Sequence, residues 1–459
     1  MSLPSGFGGG TYGGPKGDKG LALPFLETLR LSFQDPDLKQ RILFVMFMFG
    51  VFTLGAHIQV PIPGLSSRAV MDMLENNPAL GLLDVFGGGA LRRISIFSLG
   101  LNPYITASII IQILTTANPK LKQELQEGGE YARRQQNKRT RALTLALCLF
   151  QGWGILQLMA SGAPAIAALP LFLKIVILAF WTAGAMFVLW LGEQISEKGI
   201  GNGVSLMIFA GIILSLPGQG AALWRGVQDG VVNPISVLIV ILVFVAATWF
   251  IVLFTTAQRR IPIQHMRRVV GTRAVGGQTS YLPLSVNMAG VLPIIFAVSL
   301  VYLPNQLASM VPNRDVQAGI QRFAEWFQPS STIWYKAIVG AIVYTALIFF
   351  FTYFWTAIQY NVEDISNNLK RGGSFIPGVR PGKQTKDFLD GVISRITMVG
   401  AAFIAVVALL QYITPRLAGI PPGTYISVIG GTSLLIMVQV ALETMRQIEA
   451  NILMKQYGQ

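Results

Sequence analysis

The chain has 459 residues, 52% of them hydrophobic and only 12% charged, with a mean hydropathy of +0.55. Soluble domains carry roughly a quarter charged residues, so this composition excludes an ordinary water-soluble fold and points to lipid. A single cysteine, Cys148, inside an apolar run, and two histidines far apart, His57 and His265, exclude an internal disulfide framework, a thiolate metal site and a histidine cage. No metal or cofactor is expected.

Residues 1–20 are Gly-rich and uncharged until Lys16, the pattern of a flexible tail. Leu21, Phe25, Leu26 and Leu29 then recur at helical spacing up to Asp35-Pro36, which suits either a short helix on the membrane surface or a plain lead-in. Ten apolar runs follow, at about 42–60, 96–117, 142–160, 165–191, 203–217, 231–257, 286–311, 333–359, 396–413 and 424–442. Each approaches the roughly 20 residues that a helix needs to cross a bilayer. The first is too long for a signal-peptide core and lacks a cleavage site, so it is expected to stay as a span.

Just ahead of the second run, Leu82–Phe86 is broken by Gly87-Gly88-Gly89 and then by Arg92-Arg93. Gly-rich breaks at membrane depth are tolerated only where they are buried in protein or line a cavity. The segment reads either as a half-helix that does not span or as an outer loop before one normal span.

Charge fixes the orientation. Loops 1–41, 118–141, 192–202, 258–285, 360–395 and 443–459 hold most of the 35 Lys and Arg. The alternate loops keep only Arg68, Arg92, Arg93, Arg225, Arg314, Arg322, Lys336 and Arg416. By the positive-inside rule the basic side is cytoplasmic, and both termini lie there. The net charge of +14 is therefore read as topology before nucleic-acid binding.

The runs themselves are nearly free of ionisable groups, which lowers the case for an ion-coupled transporter or a proton pump. Gly382-Lys383 is followed by Gln384 and lacks the preceding glycine of a phosphate loop. The close acidic pairs at span ends, Glu193 with Glu197 and Glu363 with Asp364, are the strongest hint of lipid chemistry, although helix-end solvation also explains them.

The string FGGGALRRISIFSLGLNPYITASIIIQIL (86–114) closely resembles the second-helix signature of the SecY/Sec61-alpha family of protein-conducting channels. Similar agreement recurs in family order at 190–212, 282–297, 368–385 and 430–445, so the resemblance covers about 22–457. It implies an all-α integral membrane fold of ten transmembrane helices, in two pseudo-symmetric five-helix halves over 21–219 and 220–446. Outside these halves lie the 1–20 tail and a cytoplasmic tail over 447–459.

The same resemblance assigns roles. Residues 82–93 would be a short plug half-helix, with Asp84, Val85, Phe86, Gly87, Gly88, Gly89, Ala90, Leu91 and Arg92 at its centre. Leu101, Ile105, Val204, Ile208, Ile295 and Ile436 would line the pore constriction. Spans two and three would face spans seven and eight across a lateral gate, where Asn102, Thr106, Gln112 and Asn287 would latch the closed state. Loops 258–285 and 360–390 would dock the motor ATPase SecA and the ribosome through Arg259, Arg260, Arg267, Arg268, Arg273, Lys370, Arg371, Arg380 and Lys383. Arg380 is singled out because a proline and glycines restrict its loop.

Implied partners are SecE and SecG, signal sequences and nascent polypeptides, and membrane lipids. The implied location is the bacterial inner membrane, with a plastid relative left open. The implied activity is passive: export of unfolded chains and sideways release of membrane helices. A secondary transporter or flippase would instead show a polar midplane pocket. Thr53, ahead of Leu54-Gly55, stands where the family often has arginine, and the exit at 59–64 is longer than usual.

Overall fold

A computed structural model describes residues 25–62, 84–85, 87–162, 164–265, 268–270, 273–275, 279–308, 311, 314–329, 331, 333–420 and 431–457. The 1–20 tail lies outside the described residues. Helix α1 (Phe25–Gln34) stops at the expected Asp35-Pro36, where Asp35 Oδ1 accepts the Asp37 amide at 3.1 Å and Pro36 opens α2 (Pro36–His57). Asp35 and Asp37 also accept Lys455 Nζ at 2.7 and 3.0 Å, tying the start of the chain to its end. That hydrogen bond from Lys455 holds the Asp35 carboxyl below its ordinary pKa.

The second apolar run departs from its expected bounds. Helix α3 (Asn102–Ala117) starts six residues late, with Pro103 in its first turn, while 94–101 forms successive turns. Basic segments expected to be loops instead continue helices: α4 (Pro119–Glu127) and α5 (Gly129–Gly162) carry most of 118–141. Glu130 and Arg134 pair at 2.6 Å one turn apart, a spacing that supports a solvated helical extension.

The remaining long helices are α6 (Leu171–Lys198), α7 (Gly203–Gln228), α8 (Pro234–Thr256), α9 (Leu292–Ala308), α10 (Arg314–Ala324), α11 (Trp334–Gln359), α12 (Val362–Arg371), α13 (Lys383–Leu417) and α14 (Gly431–Tyr457). Each predicted apolar run overlaps a helix within its described residues. Among the described residues, six stretches are both long and apolar enough to cross a membrane: α2, α6, α7, α8, α11 continuing into α12, and α13. The chain is thus a multi-pass, mostly helical membrane protein. Helices α3 and α9, at 16 and 17 residues, are shorter, and α5 is basic in its first half.

The all-α expectation needs one correction. Residues 258–285 hold a β-hairpin of β1 (Gln258–His265) and β4 (Thr279–Ser285), with β2 (Arg268–Val270) and β3 (Arg273–Val275) beyond it. Strand β5 (Ser374–Phe375) joins the far edge of β1, pairing Gln264 with Phe375. Ile261 and Ile263 alternate with exposed Arg260, Pro262 and Gln264, a period-2 pattern masked in the sequence by Pro262 and Pro283.

Close helix approach depends on small residues, as it must where lipid offers no hydrophobic drive. A Cβ at Gly203 would collide with the Gly192 carbonyl, and one at Gly431 with that of Val407. Gly203→Val is therefore expected to prevent assembly of α6 with α7. Loss of the monodisperse detergent-solubilised protein checks this, with Gly220→Val, where the added group meets nothing, as the control.

Candidate functional site

The largest apolar core gathers side chains from both halves of the sequence. Leu101, Ile105, Ile208, Ile295 and Ile436 are all less than a tenth exposed and belong to it, and half-buried Val204 packs against it. They arrive from the start of α3, from α7, from α9 and from α14. Far apart in sequence, five of the six constriction candidates share one apolar cluster and the sixth, Val204, packs against it.

The Gly-rich segment packs on this cluster. Val85 and Ala90 belong to it, and Gly87, Gly88, Gly89 and Leu91 are buried. Gly88 adopts φ +72°, and a Cβ there would lie 3.0 Å from Leu214 and 3.4 Å from the Gly211 backbone. Only glycine permits that turn against α7. Leu82, Leu83 and Phe86 lie outside the described residues.

Asp84 closes the segment into a loop. Its side chain is fully buried; Oδ1 accepts the Arg92 amide at 2.8 Å, and Oδ2 accepts Arg92 Nε at 3.1 Å and pairs with Nη2 at 2.9 Å. The Asp84 carbonyl also accepts the Gly89 amide at 2.7 Å. The sequence reading put both residues in the plug and missed their pairing; opposite charges flanking a triple glycine were the available signal. Ile94 follows at φ +53°, a costly conformation for a β-branched residue. It is held where the Val60 amide donates to its carbonyl at 2.9 Å.

Of the polar residues of the predicted gate, Thr106 and Gln112 find partners within their own helix, and Asn102 and Asn287 on other helices. Asn102 Nδ2 donates to Gln151 Oε1 on α5 at 3.4 Å, Thr106 donates to the Asn102 carbonyl, and Gln112 Nε2 donates to Ser108. Asn287 Nδ2 donates to Gln439 Oε1 on α14 at 3.1 Å, while its Oδ1 accepts the Gly290 amide. Only Thr106 and Asn102 bond each other, within α3; Asn287 bonds neither of them nor Gln112. Helix α9 nonetheless lies against both α3 and α5. Gln151 and Gln439 were the partners that sequence reasoning missed.

On the basic side, the β1–β5 pairing joins the two predicted docking loops into one platform over an apolar base that includes Ile261, Leu284, Ile376 and Leu389. Arg259, Arg260, Lys370, Arg371, Arg380 and Lys383 are exposed on it. Arg268 and Arg273 fall on the β2–β3 hairpin, and Arg267 lies outside the described residues. The Arg380 loop is fixed: Gly378 and Gly382 turn at φ +82° and +104°, and the Arg380 carbonyl accepts Thr385 Oγ1 at 2.9 Å.

One member of each acidic pair is ion-paired. Glu193 meets Arg141 at 2.6 Å and Glu363 meets Lys386 at 3.0 Å. Among the described residues, no group of three or more His, Cys, Asp or Glu could hold a metal ion. A cavity of about 310 Å³ lined by Tyr353, Tyr360, Glu363, Lys386 and Asp390 opens beside the platform.

A family model described as SecY matches residues 95–445. The protein translocase subunit SecY of Aquifex aeolicus (strain VF5) is 38% identical over 438 residues, covering 94% of this chain and 98% of that protein. A solved structure described as a protein conducting channel superposes with a TM-score of 0.65 at 19% identity, covering 91% of this chain and 93% of its own. Sec61 in a canine ribosome-channel complex from the endoplasmic reticulum superposes at 0.61 and 16% identity, again covering 91% and 93%.

Proposed function

This chain belongs to the SecY family of protein-conducting channel subunits, which are not enzymes, and from that premise we propose how its residues divide the work of translocation. Ten spans, in halves over 21–219 and 220–446, surround a pore whose constriction is the ring Leu101, Ile105, Val204, Ile208, Ile295 and Ile436. The observation that carries this reading is the convergence of five of the six in one apolar cluster, with Val204 packed against it. Such a ring excludes water and ions by dewetting yet yields around an extended chain without holding any one sequence. Residues 82–93 act as the plug, with Gly88 against α7 and Asp84 paired to Arg92.

Helix α9 moving away from α3 and α5 opens the lateral exit for signal sequences and membrane helices. Asn287 acts in this gate through Gln439: it positions the entrance to α9 against α14. Asn287→Leu is expected to relax signal-sequence selectivity, measured as export of a precursor with a weakened signal; unchanged selectivity would remove Asn287 from the gate.

The platform of Arg259, Arg260, Arg267, Arg268, Lys370, Arg371, Arg380 and Lys383 takes the ribosome, whose RNA phosphates suit it, and the motor SecA, with SecE and SecG completing the channel. The setting is the bacterial inner membrane, both termini in the cytoplasm. Arg380→Glu is expected to weaken SecA and ribosome binding by roughly tenfold, about 1.4 kcal/mol, with the fold intact because the side chain is exposed. Equilibrium binding to the reconstituted complex checks it, with Arg225→Glu on the opposite side as control.

The whole reading is tested by reconstituting the chain with SecE, SecG and SecA in vesicles and measuring ATP-dependent protection of a secretory precursor. Protection is expected. Its absence, where another translocase succeeds under the same conditions, would overturn the reading.

A further inference from the structure

Helix α10 and the 3-10 turn Glu325–Phe327 that follows it carry an apolar stripe left exposed among the described residues. Val316, Gly319, Phe323 and Trp326 recur at three- and four-residue spacing and are all exposed, Phe323 by 61% and Trp326 by 44%. That spacing places them on one helical face, with exposed Asp315 and Arg322 along its edge.

The stripe is continuous with a surface that must already meet lipid. The Trp326 ring lies 6.0 Å from Tyr335, in the first turn of α11, and Tyr335 lies 6.0 Å from exposed Trp334. Ile338 and Ile342 continue the exposed apolar surface down that spanning helix. Lys336 pairs with Glu325 at 2.8 Å and stands 5.7 Å over the Trp326 ring, so the one acidic group at the end of the stripe is neutralised.

Depth points the same way. A Cβ at Gly340 would meet the backbone of Gln328 at 2.5 Å and Pro329 N at 2.8 Å. Gly340 lies six residues into α11, about 9 Å along the helix axis at 1.5 Å per residue. The chain leaving the stripe therefore descends below the Trp334-Tyr335 level, where aromatic belts mark the membrane interface.

We propose that residues 314–327 lie in the membrane interface opposite the basic platform, with Val316, Gly319, Phe323 and Trp326 turned into the acyl chains and Asp315 and Arg322 among the headgroups. The occupant of the stripe is bilayer lipid, not a protein. Since α10 packs on α9, the outer end of that helix is tethered to the lipid interface. The proposal rests on α11 being a span and is independent of the channel reading.

The test uses the full chain in vesicles of phosphatidylethanolamine and phosphatidylglycerol. Spin labels are placed one at a time at Val316→Cys, Phe323→Cys, Asp315→Cys and Arg322→Cys; the native Cys148 is buried. Collision rates are measured with oxygen, which concentrates in lipid, and with a polar nickel chelate present on both sides of the bilayer. Oxygen is expected to exceed the chelate severalfold at positions 316 and 323, with the order reversed at 315 and 322. Equal chelate access at all four positions would make the stripe water-facing and overturn the proposal. Immobile labels at 316 and 323 reached by neither reagent would assign the face to a protein partner, and would overturn it equally.

Discussion

Asp84→Ala is expected to turn the resting protein into a leaky one. The carboxylate is fully buried and gathers three bonds from Arg92, so its removal leaves a guanidinium partly buried without its counter-ion. Breaking one side of such a pair costs about 3 to 5 kcal/mol where both groups are dry; Arg92 keeps 23% exposure, so the lower end applies here. About 3 kcal/mol shifts a seated-to-unseated ratio by roughly a hundredfold. Passive ion flux into vesicles carrying the purified complex measures this. Combining Arg92→Ala with Asp84→Ala removes the orphaned charge and is expected to restore much of the seal; a double variant as leaky as the single one would mean that the pair does not seat the plug.

The second large effect lies in the ring. Ile208 and Ile436 are 6% and 1% exposed. Burial of such a side chain is worth about 1.5 to 3 kcal/mol, which is also the penalty for wetting it. Replacing both by asparagine removes roughly 3 kcal/mol or more of dewetting preference and supplies amides that bind water, so ion flux at rest is expected to rise about a hundredfold. Ile208→Leu with Ile436→Leu preserves apolar volume and is expected to keep the seal. A tight asparagine variant would place the barrier elsewhere.

Much of this architecture is legible in the residues because lipid leaves few options. Apolar runs of about 20 residues must become helices, and each predicted run overlaps one within its described residues. Their ends are less legible: 118–141 is basic and reads as a loop, yet Glu130 and Arg134 show why a charged segment extends a helix beyond the membrane. The β1–β4 hairpin was missed because Pro262 and Pro283 argue against strands; the register pairs Arg260 with Pro283 and Pro262 with Tyr281, placing both prolines on a short, solvated ladder.

The site divides similarly. Leu101, Ile208, Ile295 and Ile436 are indistinguishable by chemistry from any other membrane aliphatic, and only the resemblance selected them before the fold brought them together. Asn102 and Asn287 were identifiable as polar groups in need of partners. Their actual partners, Gln151 and Gln439, lie 49 and 152 residues away, a distance over which local pattern carries no information. Asp84 and Arg92 are only eight residues apart, and the Gly-rich turn between them brings the two charges together.

The central claim is that the apolar cluster is the path of the translocating chain. Photocrosslinking amino acids at positions 208 and 436, with a third at lipid-facing Leu242, should be challenged with a precursor arrested midway by a folded domain. The account predicts ATP-dependent crosslinks from 208 and 436 to the precursor and none from 242. Crosslinks from 242 with silence at 208 and 436 would mean that the chain passes outside this ring, and would contradict the account.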